Sequence, residues 1–281
     1  MKKLNVVIAG CGDVGCELAR QLLALDAFDV WGLRRDISKL PAGVKPIKGN
    51  LFEIEALGSW PKHIDYLVYS ASSDGGTEEQ YRSAYVDGLQ NVIQRLEDNN
   101  YAPRRIFFTS STSTFHQSKG EWVNEASKTE PVKFTGKIML DAENLLNLSP
   151  LKSTTVRLGG IYGPGRSRLI DRAKKGQGCP KSPEVFSNRI HMKDAAGIIA
   201  HLIQRDDNGF DVDELYLGVD GHPVTMHEIL QWLGEKLEVE MDNDNYPAPQ
   251  RGNRRCSNDR ILGAGYQFFY RDFKSGYSKF L

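Results

Sequence analysis

Six residues near the start of the chain, Gly10-Cys11-Gly12-Asp13-Val14-Gly15, have the spacing of a turn that cradles phosphates. They follow the apolar run Leu4 to Ala9 and precede Leu18, Leu22 and Leu25 at helical spacing, which is the order strand, glycine turn, helix. The first glycine of such a turn permits the tight bend, the second lets the backbone approach a pyrophosphate, and the third lets helix and strand pack closely. The phosphates then meet N–H groups at the helix N-terminus, the stretch that Asp13 and Val14 open. About 20 residues on, at the end of the next predicted strand, stand Arg34 and Arg35. An acid there would bind the 2′-hydroxyl of NAD, whereas arginine accommodates the 2′-phosphate of NADP. Two guanidiniums offer charge-assisted hydrogen bonds to a phosphate, so NADP is the expected cofactor. NAD stays open because Asp36 could pair with Arg35.

The elements that must position this turn read as alternating strands and helices. Strands are expected at Leu4 to Ala9, Phe28 to Leu33, Val44 to Ile47, Tyr66 to Ser70, Ile106 to Ser110, Thr154 to Ile161 and Glu214 to Gly218. Helical stripes lie between them, above all at Glu78 to Glu97, where Tyr81, Tyr85, Leu89, Val92, Ile93 and Leu96 share one face. Shorter helices are expected at Asp141 to Leu148 and Met192 to Gln204. The alternation implies an α/β fold, a Rossmann-type doubly wound parallel sheet. Two less regular pieces, rich in Gly, Pro, Asn and basic residues, are expected to form a smaller C-terminal lobe that binds substrate. The domain expectation is therefore 1–161 plus 191–220 for the dinucleotide-binding part and 162–190 plus 221–281 for the lobe.

Composition bounds the function further. In 281 residues, 36 basic side chains balance 36 acidic ones, which argues against nucleic acid or an anionic membrane as a partner for the whole surface. No run approaches the length of apolar chain that spans a bilayer, so a cytoplasmic location is expected. The four cysteines, Cys11, Cys16, Cys179 and Cys256, lack C-x-x-C spacing and read as free thiols, with Cys11 and Cys16 filling gaps around the glycine turn. The six histidines show no metal-ligand spacing, so no metal site is expected.

Further motifs recur in a telling order. Gly49-Asn50-Leu51 follows the third strand, Tyr69-Ser70-Ala71-Ser72 the fourth, and Thr109-Ser110-Ser111-Thr112-Ser113-Thr114-Phe115 the fifth. Arg157-Leu-Gly-Gly-Ile-Tyr-Gly-Pro-Gly-Arg166 and Arg189-Ile190-His191-Met192-Lys193-Asp194 complete the series. Along its whole length the chain resembles the extended and atypical short-chain dehydrogenases/reductases, in the NAD(P)-dependent epimerase/dehydratase group. The resemblance implies that Asn50 and Leu51 face the adenine and that Ser70, Ala71 and Ser72 pass the cofactor's ribose. It also implies hydride transfer at a nicotinamide, with Ser111 bonding the substrate oxygen.

In that family a tyrosine exchanges the proton, and a lysine four residues later lowers its pKa and holds the ribose. The chain offers two registers, and neither supplies a tyrosine. If Lys137 is the lysine, the tyrosine position holds Lys133; if Glu143 is the family's glutamate, the two positions hold Thr135 and Met139. Lys133 could act as a base only with a strongly lowered pKa. Asp87 is a nearby alternative, equally readable as a helix-surface carboxylate, and Tyr162, in the loop after the sixth strand, is another that reads first as a packing residue of its Tyr-Gly-Pro-Gly turn. Arg166, Arg168 and Arg189 are candidate anchors for a substrate phosphate or carboxylate. The resulting expectation is an epimerase/dehydratase-like oxidoreductase acting on a hydroxylated substrate such as a nucleotide sugar. The alternative is a cofactor-binding sensor without catalysis. A homodimer stays open, since the stripe of Glu78 to Glu97 could serve as a dimer face as readily as pack on the sheet.

Overall fold

The computed structural model describes residues 2–248 and 252–281. Five strands form in order as the sequence suggests: β1 (Leu4–Ala9), β2 (Phe28–Arg34), β3 (Lys45–Lys48), β4 (Tyr66–Tyr69) and β5 (Arg105–Ser111). With β7 (Ser153–Leu158) and β11 (Leu215–Gly218) they make a seven-stranded sheet in the order β11-β7-β5-β4-β1-β2-β3. Pairing is parallel, with Val6 beside Val30 on one side of β1 and beside Tyr66 on the other. The strand order reverses at β1, so β1 and β4 flank the switch point, where a doubly wound sheet binds ligand beyond its carboxyl ends. The strands there are hydrophobic on both faces because both faces are covered: Val6 to Ala9 and Tyr66 to Tyr69 are all fully buried.

Helix α1 (Asp13–Ala24) follows the glycine turn and buries Val14, Leu18, Ala19 and Leu22. The long stripe after β4 packs against the sheet. Its Leu89, Val92, Ile93 and Leu96 join Ile106, Phe108, Met139 and Leu146 in one core cluster. It is not one regular helix, however. A π-turn at Ser83–Asp87 separates α2 (Glu78–Arg82) from α3 (Gly88–Asp98). Gly88 marks the reason for close packing there, since a Cβ on it would lie 2.5 Å from the Tyr69 hydroxyl. Helix α4 spans Phe134–Leu148, starting seven residues before the sequence pattern suggested, because Phe134 to Leu140 read too evenly apolar and polar to show a period. The strand expected at Thr154 to Ile161 is interrupted at Gly159, where β7 ends and β8 (Gly160–Tyr162) begins.

The chain divides into two compact units: Met1–Thr114, Thr129–Arg157 and Ala196–Tyr216 in the first, Phe115–Lys128, Leu158–Ala195 and Leu217–Leu281 in the second. Residues 115–128, 158–161, 191–195 and 217–220 thus group with the second unit, against the boundaries read from the sequence. Local pairing explains the shift. Strand β6 (Glu121–Val123) runs parallel to β13 (Arg254–Cys256), and β8 pairs with β10 (Arg189–His191). Phe115, Val123, Leu217, Val219 and Cys256 share a small core of their own. A larger core joins α5 (Arg168–Lys174), α7 (Met226–Leu237) and α9 (Phe273–Tyr277) through Ile170, Ile229, Leu233 and Phe273. Among the described residues no helix is long and apolar enough to cross a membrane.

Candidate functional site: the glycine turn and the ends of the strands

The three glycines of the turn do different work. A Cβ on Gly10 would lie 2.6 Å from the backbone N and Cα of Ala71, and its φ of +84° disfavours any side chain. One on Gly15 would lie 3.0 Å from Ile8 Cγ2 and 3.2 Å from Gly10 O. Gly10 therefore lets the turn meet the end of β4, and Gly15 lets α1 meet β1. Gly12 has neither constraint: its nearest neighbour would be Gly10 O at 4.0 Å. It is also the N-cap of α1 and supplies no side-chain cap to the helix. A backbone that is crowded on both flanks yet open in the middle, at a helix N-terminus, is the cradle a pyrophosphate requires. The residues fit an NAD(P) dinucleotide.

Around this cradle the predicted contacts sort unevenly. Arg34 turns back on the glycine turn, its Nη1 donating to Cys11 O at 3.0 Å. Arg35 is the exposed member, held by Asp74 through bonds of 2.7 and 2.6 Å, while Asp36 instead caps the short turn after it. Asn50 bonds within its own turn, donating to Glu53 Oε1 at 2.7 Å. Leu51 is buried and packs in the core cluster beneath. Ser70 donates its N–H to Ala9 O, Ala71 lies against Gly10, and Ser72 is exposed.

The end of β5 is tied to α4 by a buried network that the sequence did not announce. Ser110 Oγ donates to Glu143 Oε1, and Arg157 grips the same carboxylate with Nε at 3.0 Å and Nη2 at 2.6 Å. Glu143 and Arg157 are 4% and 5% exposed, so the pair is desolvated. The next residue, Ser111, is half-buried, and its Oγ accepts from Ser113 N at 3.1 Å. That acceptance leaves the hydroxyl proton to donate elsewhere. Glu143 also marks the buried face of α4. Met139, one turn earlier, is buried, and Thr135, a further turn earlier, is half-buried on the same face. Lys133, Lys137 and Asp141 lie on the opposite, exposed face, with Asp141 paired to Arg82 at 3.1 Å. Ser111, expected to act together with these lysines, is half-buried, whereas both lysines are exposed.

Residues 10–206 match the NAD(P)H-binding family model. A solved structure from Methylobacillus flagellatus, designated an NAD-dependent epimerase/dehydratase, is 35% identical over 99% of this chain and 97% of that one, with a TM-score of 0.80. The chain belongs to the NAD(P)-binding epimerase/dehydratase-like short-chain dehydrogenases/reductases. Short-chain dehydrogenase/reductase family 42E member 1 from Xenopus laevis is 24% identical, covering 87% of this chain and 71% of that protein. The Thermus thermophilus UDP-glucose 4-epimerase, solved with NAD, shares the fold at 16% identity and a TM-score of 0.78 over 97% of this chain and 96% of that one.

In this epimerase/dehydratase-like chain the candidate anchors of the second unit divide in two. Arg168 is exposed at the start of α5 and Arg166 is half-buried before it. Arg189 is instead an interior residue, 8% exposed, donating Nη2 to the Tyr277 hydroxyl at 3.1 Å and lying over the Tyr162 ring. This interior, aromatic setting sets it apart from Arg166 and Arg168. Tyr162 is fully buried, stacks on Tyr277 and donates to Asp272 O at 3.1 Å, and burial raises its pKa. It packs rather than transfers protons. Asp194 pins the C-terminal segment, accepting from the Tyr266 hydroxyl, Phe269 N and Tyr270 N. Its place in the Arg-Ile-His-Met-Lys-Asp motif was the only signal for that role. Among the described residues no cluster of His, Cys, Asp or Glu could hold a metal ion.

Proposed function

We propose that the protein is an oxidoreductase of the epimerase/dehydratase type that binds NADP(H) in preference to NAD(H) and acts on a hydroxylated small molecule, with nucleotide sugars as the first substrate class to try. The observation that carries the reading is the open Gly12 face between the crowded Gly10 and Gly15. When bound, the nicotinamide would supply a hydride acceptor or donor. Gly10, Gly12, Asp13, Val14 and Gly15 would hold the pyrophosphate. Arg35, the exposed arginine after β2, would meet a 2′-phosphate, which competes with Asp74 for the same guanidinium. Ser111 would donate a hydrogen bond to the substrate oxygen, positioned through Ser113 on one side and the Ser110–Glu143–Arg157 network on the other. Ser70 and Ala71 would border the ribose. Arg166 and Arg168 remain the candidate anchors for a charged substrate group. The UDP-glucose 4-epimerase among the similar structures supports the choice of nucleotide sugars to test.

A second reading, a protein that binds NAD(P)(H) and reports it without turnover, is favoured by one feature. With Glu143 taken as the family's glutamate, the same face of α4 carries Thr135 and Met139 at the tyrosine and lysine positions, and neither is an acid–base group near neutral pH. Calorimetry with NADPH and NADH, followed by chromatographic analysis of the products from a panel of nucleotide sugars together with absorbance at the nicotinamide band, decides between the two, since an epimerase or dehydratase returns its hydride and leaves the band unchanged. Turnover that disappears in Ser111→Ala supports the enzyme. Tight binding with no turnover across the panel supports the sensor, and no binding of either dinucleotide refutes both.

A further inference from the structure

Cys11 and Cys16 stand inside the glycine turn, the first between Gly10 and Gly12 and the second one turn into α1. Their sulfurs are 3.9 Å apart, in van der Waals contact, whereas a disulfide brings them to about 2.05 Å. The Cys16 sulfur also lies 3.4 Å from Cys11 O and 3.6 Å from Arg34 Nη1. Cys16 keeps 7% of its surface exposed and Cys11 none, so a small oxidant meets Cys16 first. The Cys11 thiol donating to it, together with the Arg34 charge, lowers the Cys16 pKa to about 6. Sharing that hydrogen bond and burial raise Cys11. Of the two sulfurs in contact, Cys16 is therefore the one that ionises first. Cys179 and Cys256 differ: each is buried in an apolar cluster.

We propose that Cys16 and Cys11 form a peroxide-oxidisable dithiol that closes to a disulfide across the dinucleotide-binding turn and weakens cofactor binding. The Cys16 thiolate attacks one oxygen of hydrogen peroxide, the O–O bond breaks, and the departing hydroxide takes a proton to become water. Cys16 is then a sulfenic acid. The Cys11 sulfur attacks the Cys16 sulfur, the S–O bond breaks, and the hydroxyl leaves as water with the Cys11 proton. Two thiols are oxidised by two electrons and one peroxide is reduced to two waters. Closing the sulfurs by roughly 1.9 Å pulls on the Cys11 backbone, whose N–H donates to Leu33 O and whose carbonyl accepts from Arg34. Gly12 is the adjoining residue, so the open cradle moves with it. The disulfide stands on the two sulfurs alone; its effect on affinity rests on the NAD(P)(H) reading above.

The test treats the full chain with hydrogen peroxide and reads peptide mass after alkylation under non-reducing conditions. The expected result is a Cys11–Cys16 link with Cys179 and Cys256 still alkylated. Cys11→Ser should stop at a sulfenic acid on Cys16 that dimedone traps, and Cys16→Ser should leave Cys11 reduced. Thermal melting of both variants checks that they fold. In the parent, the oxidised form should bind NADPH about tenfold more weakly than the reduced form, the equivalent of about 1.4 kcal/mol, and recover with dithiothreitol. The dithiol is overturned by alkylation of both thiols after saturating peroxide, or by links to Cys179 or Cys256 instead. A clean Cys11–Cys16 disulfide with unchanged affinity overturns the gating. If the reduced protein binds neither dinucleotide, the cofactor reading and the gating both fall, and the mass result still decides the disulfide.

Discussion

Alanine at Gly12 and alanine at Gly10 separate the dinucleotide cradle from the folding of the turn that makes it. At Gly12 the added Cβ has nothing nearer than Gly10 O at 4.0 Å, so the folded chain accommodates it and stability changes by no more than about 1 kcal/mol, cap preference and unfolded-state entropy included. The methyl group occupies the approach of the phosphates instead. Loss of one charge-assisted hydrogen bond costs about 1.5–3 kcal/mol, which is about 10- to 150-fold in Kd. Gly10 has the opposite profile. Its φ is +84° and the Cβ would lie 2.6 Å from the backbone of Ala71, so left-handed strain and overpacking together cost about 2–5 kcal/mol. For a chain of this size each kcal/mol is worth about 2–4 °C in Tm. Calorimetric titration with NADPH and NADH, alongside scanning calorimetry of the free proteins, measures both effects. Gly12→Ala should melt near the parent and bind poorly, whereas Gly10→Ala should melt early. A Gly12→Ala protein that binds both dinucleotides as the parent does would refute the cradle, and one that melts as early as Gly10→Ala would refute the division of labour.

Three further outcomes follow from the geometry. Arg35→Ala should weaken NADPH about two- to fivefold while leaving NADH unchanged, the modest scale of a solvent-exposed charge contact, and Asp74→Asn should shift NADPH the other way; competitive titration reads both. Glu143→Gln strands the buried Arg157 guanidinium and should cost about 3–5 kcal/mol in urea denaturation, with much of the loss recovered when Glu143 and Arg157 are both replaced by methionine. Burial raises Asp220 to about 8 and Asp194 to about 6, with Arg189 opposing the first and Tyr266, Phe269 and Tyr270 bonding the second. The folded state therefore holds protons that the unfolded chain releases near pH 4, so this contribution to stability is complete below about pH 4 and is lost as pH rises towards about 8. Asp220→Asn should flatten that slope between pH 6 and 8 in denaturation curves, and an unchanged slope would move its origin elsewhere.

Local signals carried much of the architecture. The order Leu4 to Ala9, glycine turn, Leu18 and Leu22 sufficed for β1, the cradle and α1, because a strand, a tight turn and a helix start are each specified within a few residues. The same holds for β2, β4 and β5, whose apolar runs sit within a residue of their observed ends. Helix α4 shows where locality fails. Its first seven residues carry no clear period, so the pattern began only at Asp141, and the two alignments of Thr135 or Lys133 with a missing tyrosine were equally consistent with spacing.

Only packing decides which face of α4 is buried. A helix of 3.6 residues per turn has one face to bury, and the face chosen is the one that gives the Glu143 carboxylate a partner, Arg157, from a strand that follows it in sequence. Thr135 and Met139 turn with Glu143, and both lysines are left outside. Arg189 illustrates the same limit from the other side, since its motif names it a candidate substrate anchor but only the fold shows it buried beside Tyr162 and Tyr277. The contact between Cys11 and Cys16 is of this kind too. Their spacing of five residues is plain in the sequence, but whether the sulfurs meet depends on the turn geometry at Gly10 and Gly12 and on the Arg34 side chain folding back from β2. Residue types and short spacings specify elements, because those depend on near neighbours. Which side chains share a site depends on burial and charge pairing between segments far apart in the chain, and those energies exist only once the chain has folded.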